Sequence, residues 1–525
     1  MLKRLLLGSS LLIAVVSLLL SQMIVKPPPQ YTPSAIGRNN TVLFIVNSEF
    51  GLSNVHLATA HALLERYPEV RIHFASFAPT LPRLDRISKH VRKTNSSAGD
   101  IVFHELPEQY LFATAMAISG RTPASIIRPP GRRYIDEWAK DLAFYTAPWS
   151  GEAHLALFQK LEEIIDDVDP SLVLLDIFLR PGIDAARNRK RLHGFIVPNM
   201  PIDVFPLHQP YGEWLWKYPV MGSGIPYPVP WSRMLENIYM NMRYFYILNS
   251  MPHFKDGQKL LQSKGLGRVT YHDWYRSSAP FFIQGLAEAT IPLDYVPPNV
   301  TYTGPMSLSL STPQETSPEL SQWLAQAPTL LVNLGSFFAW DQGRATAMAQ
   351  AIADMLLERT DLQVLWKFCK TEEKFGGVPF DDEFLDPVRP FLENGRLRMM
   401  SWLPVELTGL FETGHIVAYV HHGGAGGFHE ALGSGIPQIM LPQWQDHYSI
   451  TQQAQYIGVG MWACQEIAPT FTAECLHDAF STVLDSGKTA ESMREKAKRF
   501  GEIAQREPGR YISAREVAKL AAHGA

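Results

Sequence analysis

A continuous apolar run that stops at a polar turn and passes into a helix-length stretch marks a strand buried in a parallel sheet. The chain has one at TVLFIVNSEFG (Thr41–Gly51), followed by SNVHLATAHALLERY and by a second strand, VRIHFAS (Val70–Ser76). PSLVLLDIF (Pro170–Phe178), followed by the helix-like GIDAARNRKRL, repeats the unit. It begins afresh at TLLVNLGS (Thr329–Ser336), ATAMAQAIADMLLER and LQVLWKF. Strand–helix–strand order of this kind folds as a doubly wound α/β sheet. Because the pattern restarts, two such domains are expected: an N-terminal one over 38–300 and a C-terminal one over 329–507. The stretch between, PPNVTYTGPMSLSLSTPQETSPE, is rich in Pro, Ser and Thr, which predicts an exposed linker over 301–328. Ser53 is the expected N-cap of the first helix.

The 525 residues agree with two domains rather than one. A net charge of −4 gives no global field to recruit nucleic acid. Three cysteines, Cys369, Cys464 and Cys475, form neither a disulfide framework nor a cysteine zinc site. Lys3 and Arg4 precede an apolar run from Leu5 to Leu20 that KPPPQ ends. Residues 1–30 are therefore expected to be an uncleaved signal-anchor, with a cleaved signal peptide as the alternative. The first places the body in the lumen of the endoplasmic reticulum or another secretory-pathway membrane, and the second secretes it. Sequons at Asn39, Asn95 and Asn299 fit either, although a chain this long gathers that many by chance.

The stretch HHGGAGGFHEALGSGIPQ (His421–Gln438) concentrates histidine and glycine. Glu430 is followed by Ala-Leu-Gly, so no zinc-binding HExxH is present, and adjacent histidines at a strand end point to opposite faces. No metal is expected. A strand, a glycine turn and a helix N-terminus in succession instead make an anion site, with backbone amides facing the loop.

SWLP (Ser401–Pro404), HHGGAGGFHEALGSGIP and LPQWQDH (Leu441–His447) follow in order, and this arrangement resembles the donor-binding signature of family-1 UDP-glycosyltransferases, in particular their sterol- and macrolide-glycosylating branch. The resemblance implies a GT-B-like fold with its cleft between the domains, and a helix over 508–525 that crosses back onto the N-terminal domain. It implies that Trp402 stacks on uracil, His422 contacts the diphosphate, and Gly424, Gly426 and Gly427 line the phosphates. Glu430 matches the acid that holds the ribose and Asp446 the acid that grips the sugar. Gly335 and Ser336 match a second phosphate-facing turn. The donor half departs from the family pattern in places: Val405 replaces a glutamine after Pro404, glycines stand where the family often has Asn-Ser, so that amides carry more of the contact, and His447 replaces the glutamine that helps select the sugar, which points to galactose or another donor besides glucose. The donor is a substrate, so no cofactor is implied.

The largest departure is catalytic. The family carries a histidine base after its first strand, supported by an aspartate on a later strand. Here Leu52 occupies the histidine position and Val55 that of a following proline, while Asp176 matches the supporting acid. Three resolutions are open. His56, four residues on, takes over as base, held neutral by the helix N-terminus. Alternatively Glu49 or Asp176 activates the acceptor, or the acceptor needs little activation. In the third case the chain is an inactive relative that binds nucleotide sugar or lipid as a partner subunit.

The leading expectation is a metal-independent, inverting transferase that moves a hexose from a UDP-sugar to a lipophilic acceptor and closes its domains on the donor. The aromatic-rich segment Leu207–Met251 is either ordinary core or an acceptor or membrane surface. Basic clusters at Arg83–Lys93 and Arg128–Arg133 are read as solvated surface, with anionic lipid headgroups as the alternative.

Overall fold

The structure, a computed structural model, describes residues 33–524 apart from 97, 267–277, 376–378 and 380. The expected signal-anchor lies outside the described residues, and no helix among the described residues is long and apolar enough to cross a membrane.

Seven strands form the first sheet: β1 (Arg38–Ile45), β2 (Arg71–Ser76), β3 (Ile101–Glu105), β4 (Pro170–Leu175), β5 (His193–Val197), β6 (Phe281–Ile283) and β7 (Val300–Tyr302). Their order is β3-β2-β1-β4-β5-β6-β7. The second sheet takes β8 (Thr329–Asn333), β9 (Gln363–Lys367), β10 (Leu397–Met400), β11 (Ile416–His421), β12 (Gln438–Met440) and β13 (Gly460–Trp462), in the order β10-β9-β8-β11-β12-β13. All the strand pairs are parallel. Strand order reverses between β1 and β4 in one sheet and between β8 and β11 in the other. Loops leaving the carboxyl ends of strands at such switch points open a crevice, and this is where ligands bind in doubly wound sheets.

The helices that position the site are α1 (Phe50–Arg66), α2 (Leu81–Thr94), α3 (Met234–Ser250), α4 (Gln342–Glu358), α5 (Ala425–Ser434), α6 (Gln445–Ile457), α7 (Lys488–Arg506) and α8 (Gly509–Ala521). Helix α8 lies on the N-terminal domain. Ser513 Oγ is 3.0 Å from Thr59 Oγ1 on α1, Ser171 Oγ donates to the Ala521 carbonyl at 2.8 Å, and Ala514 and Val517 join the core beneath β1.

The stretch expected to be an exposed linker is exposed over most of 312–319 but buried on either side of it. Strand β7 runs to Tyr302, Met306 and Leu310 pack in the core with α1, and Leu320, Trp323 and Leu324 pack under the second sheet. Its apolar residues are spaced singly among Pro, Ser and Thr, so composition hides a strip that is buried residue by residue. The domains also share packed side chains: Met200, Ile202 and Tyr218 meet Phe428, Leu432 and Ile450. Gln445 Nε2 donates to the Trp138 carbonyl at 3.1 Å and Tyr448 Oη to that of Arg128 at 2.6 Å. The cysteines include one bridge, Cys464–Cys475, with Cα atoms 5.5 Å apart.

Candidate active site

Loops from the carboxyl ends of both sheets enclose one cavity of about 880 Å³. All the donor-side residues expected from the sequence line it: Gly335, Ser336, Trp402, His422, Gly424, Gly426, Gly427, Glu430, Asp446 and His447.

His422 sits at the hinge of the phosphate-facing half. β11 ends at His421, whose ring turns into the core, stacks on Tyr419 at 4.5 Å and meets Gln438 Oε1 at 2.9 Å. Strand alternation then turns His422 to the cavity. Its ring lies between two glycines. A Cβ on Gly424 would stand 2.4 Å from His422 Nε2, and one on Gly335 would stand 2.4 Å from Cε1. Gly335 also has φ +82°, a left-handed conformation that side chains disfavour. Glycine at both positions is therefore what admits the ring. Burial, reinforced by His447, His421 and Lys367, holds the His422 imidazole well below the ordinary histidine range, so it is neutral and has an N–H to give. Gly424 is the N-cap of α5, and the Ala425, Gly426 and Gly427 amides of the first turn have no carbonyl of their own helix to bond.

At the other end of this half, Trp402 is half exposed, with the Lys367 ammonium 3.9 Å from its ring centroid and the Phe50 ring at 5.8 Å. Val405, at the position where the family has glutamine, packs in the core and presents an apolar surface to the cavity. Burial and the neighbouring Glu406 push the Glu430 carboxyl up to about 8. Asp446 and His447 occupy the first turn of α6. Burial raises Asp446 to about 6 and lowers His447 to about 3, and the His447 ring stands 4.7 Å from that of His422.

The N-terminal half departs from expectation. Helix α1 starts at Phe50, with Glu49 in the N-cap position, and Ser53 is inside it. The Ser53 N–H already bonds the Glu49 carbonyl at 2.9 Å, and its hydroxyl donates to the same carbonyl at 2.8 Å. His56 is thus a turn deeper than an N-cap at Ser53 implies. It is fully buried, its Nδ1 lies 3.1 Å from the Leu52 carbonyl, and it does not line the cavity; Leu52 does. Burial, opposed by Asp176, keeps it neutral. Asp176 is buried as well. It accepts from the Asn47 N–H at 3.2 Å, Asn47 Nδ2 at 3.0 Å and the Phe178 N–H at 2.8 Å, and it too stands behind the cavity wall. His56, expected as the base in the cleft, is thus placed behind the cavity wall beside Leu52 rather than on it.

The aromatics of 207–251 do not make the pocket either. Trp214, Tyr218 and Tyr244 are core, while Trp231, Tyr239 and Tyr246 are exposed. The apolar wall of the cavity comes from Phe112, Tyr145, Phe178, Phe337 and Trp444, of which Phe112 meets Phe337 at 5.0 Å and Tyr145 meets Trp444 at 4.6 Å. Nothing in the sequence distinguished Phe112 or Tyr145 from core residues. Lys367, whose Nζ donates to the Gly335 carbonyl at 2.7 Å, was open to detection as the last residue of a buried parallel strand. The basic clusters are partly internal. Arg128 is buried against Asp141, Arg86 pairs with Glu406 at 2.9 Å, and Arg83 reaches the cavity, donating to Ser53 Oγ at 2.7 Å.

Known proteins share this arrangement. Residues 385–516 match the family described as Erythromycin biosynthesis protein CIII-like, C-terminal domain. The glycosyltransferase sdnJ of Sordaria araneosa is 34% identical over 514 residues, which span 91% of this chain and 98% of that protein. The 2-hydroxyacylsphingosine 1-beta-galactosyltransferase of Mus musculus is 27% identical over 220 residues, 41% of this chain and 35% of that protein. A UDP-glucosyltransferase from Polygonum tinctorium capable of glucosylating indoxyl shares the fold, with a TM-score of 0.60 at 15% identity over 92% of this chain and 99% of that one.

Proposed function

Since the chain belongs to the family-1 UDP-glycosyltransferases and is a glycosyltransferase, we propose that it moves a hexose from a UDP-sugar to a hydroxyl of a lipophilic acceptor, inverting the anomeric carbon without a metal. The observation that carries this reading is the division of one cavity into two chemistries. One half presents an exposed indole, a neutral histidine, free helix amides and two carboxyl groups, which suits a base, a diphosphate, a ribose and a sugar in that order. The other is walled by aromatic rings, Phe112, Tyr145 and Phe178 from the N-terminal domain with Phe337 and Trp444 from the C-terminal one, which suits an apolar acceptor.

In this reading the uracil lies on the Trp402 face and Glu430 takes the ribose hydroxyls. His422 and the first-turn amides of α5 bear on the diphosphate, where negative charge grows as the sugar leaves, so the stabilisation is preorganised. Asp446 and His447 hold the sugar hydroxyls. A single displacement by the acceptor oxygen, from the side opposite the diphosphate, inverts the anomeric centre. His447 at the sugar position favours galactose or another donor besides glucose.

Purified protein incubated separately with UDP-glucose, UDP-galactose and UDP-N-acetylglucosamine, each with phenolic, sterol and sphingolipid acceptors, tests this reading. Acceptor-dependent UDP release and a product heavier by one hexose, with inverted configuration by NMR, are expected. Sugar transfer with retained configuration, or only to polar acceptors, contradicts it.

A further inference from the structure

Four carboxylates line the cavity: Glu49, Glu406, Glu430 and Asp446. Three belong to the donor side. Glu406 is paired with Arg86, Glu430 stands beside it on α5, and Asp446 opens α6. Glu49 alone enters from the N-terminal domain, on the loop between β1 and α1. It precedes Leu52 by three residues, and the Leu52 N–H bonds its carbonyl at 3.0 Å. The leucine that replaces the expected base and this carboxylate therefore share one turn at the mouth of the β1–β4 switch point.

Its contacts are those of a group held for use. Oε1 accepts the Phe112 N–H at 3.0 Å, which fixes the carboxylate against the aromatic wall. Oε2 is enclosed and has no hydrogen-bond partner. The charged group that acts on it is the Asp176 carboxylate, from the end of β4. Arg83, the nearby cation of the cavity rim, is engaged by Ser53 and Asn54. An enclosed carboxylate oxygen without a donor, on the acceptor side of a transferase cavity, lacks the proton of an incoming hydroxyl.

We propose that Glu49 is the general base of this enzyme, taking the role that Leu52 cannot fill. The assignment rests on the reading of the cavity as a glycosyl-transfer site. The acceptor O–H bond breaks and its proton passes to Glu49 Oε2. The acceptor oxygen forms the new bond to the anomeric carbon, the bond from that carbon to the diphosphate oxygen breaks, and UDP leaves with the electron pair. Glu49 then releases the proton to water. Burial, with a smaller push from Asp176, raises this carboxyl to about 7 against the pull of the Phe112, Glu49 and Leu111 amides, a value suited to a base at neutral pH.

Glu49→Gln keeps the size and the Phe112 contact, and Glu49→Ala opens room for a small carboxylate. With the wild-type enzyme, a UDP-sugar that it uses and an aliphatic-alcohol acceptor, Glu49→Gln is expected to lower kcat by about 10²–10⁴-fold while UDP affinity stays within about twofold. The wild-type rate is expected to rise with pH through about 7, and that limb is expected to vanish in Glu49→Gln. Formate is expected to restore activity to Glu49→Ala, and acceptors of low hydroxyl pKa to lose less than aliphatic alcohols. A Glu49→Gln enzyme at wild-type kcat, or one slowed with the pH limb intact and no formate rescue of Glu49→Ala, overturns the base while leaving the transferase standing. A wild type inert with every donor and acceptor overturns the reaction and the base with it.

Discussion

The buried Asp176 carboxylate holds Asn47 by two hydrogen bonds, from its backbone N–H at 3.2 Å and its side-chain amide at 3.0 Å. The pair ties the carboxyl ends of β1 and β4 together where both chains turn toward the cavity, β1 into Glu49 and β4 into Phe178. Asp176 therefore positions the acceptor side from behind. Asn47→Ala leaves this buried acid short of donors and is expected to lower stability by about 1–3 kcal/mol, read as a lower midpoint in chemical denaturation. An unchanged midpoint contradicts the role.

His56 is packed, with its ring on the Leu52 carbonyl and out of the cavity. His56→Gln is expected to lower the denaturation midpoint, because a fully buried ring is replaced by a poorer fit, while kcat of the folded fraction stays within about threefold, since no proton-transfer step is lost. A loss of kcat on the scale of a missing general base, about 10²-fold or more, at full folding contradicts this placement.

Trp402 offers an exposed indole to the donor. Trp402→Ala is expected to raise the donor KM by about 10-fold, the scale of losing one base-stacking contact, while the acceptor KM is unchanged. Steady-state kinetics with each substrate varied in turn separates the two.

Gly335 and Gly424 approach His422 equally closely, and Gly335 alone of the two has a left-handed backbone. Gly335→Ala puts a methyl against the imidazole in a left-handed backbone conformation and is expected to cost about 1–3 kcal/mol, and to weaken UDP binding by displacing the ring. Calorimetric titration with UDP reads the second effect. Unchanged affinity contradicts the arrangement of the two glycines about His422.

Buried carboxylates make the free enzyme sensitive to base. Burial raises Glu430 and Asp203 to about 8 and Glu49 to about 7, all above their ordinary range. Each keeps a proton in the folded chain that the unfolded chain has lost at neutral pH, so their contribution to stability falls as pH rises toward 8. Buried histidines act the other way below 6.5: His421, His429 and His447 are lowered to about 3 and must charge on unfolding in acid. Between pH 6.5 and 8.5 the Tm is therefore expected to decline, and Glu430→Gln is expected to flatten the decline. A Tm that rises over this window contradicts the raised carboxyls.

Periodicity and loop chemistry carried much of this architecture. Val42 to Ile45 of β1 are buried on both faces, so the apolar run is unbroken, and the donor half is local enough that spacing from Trp402 to His447 brings most of its residues to one cavity. What stayed hidden depends on contacts between distant segments. Ser53 looked like a cap because serine is a favoured cap residue ahead of a helix-like run, but its hydroxyl bonds the Glu49 carbonyl from within the helix. His56 looked available because burial cannot be read from a single helix face. Phe112 and Tyr145 reach the cavity only once α1 and the loops around it have packed, and Met306 and Leu310 show their burial only when α8 has folded back. The sequence showed the vacancy at Leu52 and left its filling open among His56, Glu49 and Asp176; Glu49 became distinct through its unpartnered oxygen.

A crystal structure of the enzyme with UDP and a bound lipophilic alcohol tests the account most directly. The predicted result has uracil on the Trp402 face and the diphosphate against His422 and the amides of α5, with the acceptor oxygen within hydrogen-bonding distance of Glu49 Oε2. UDP bound elsewhere, or an acceptor hydroxyl remote from Glu49, would contradict it.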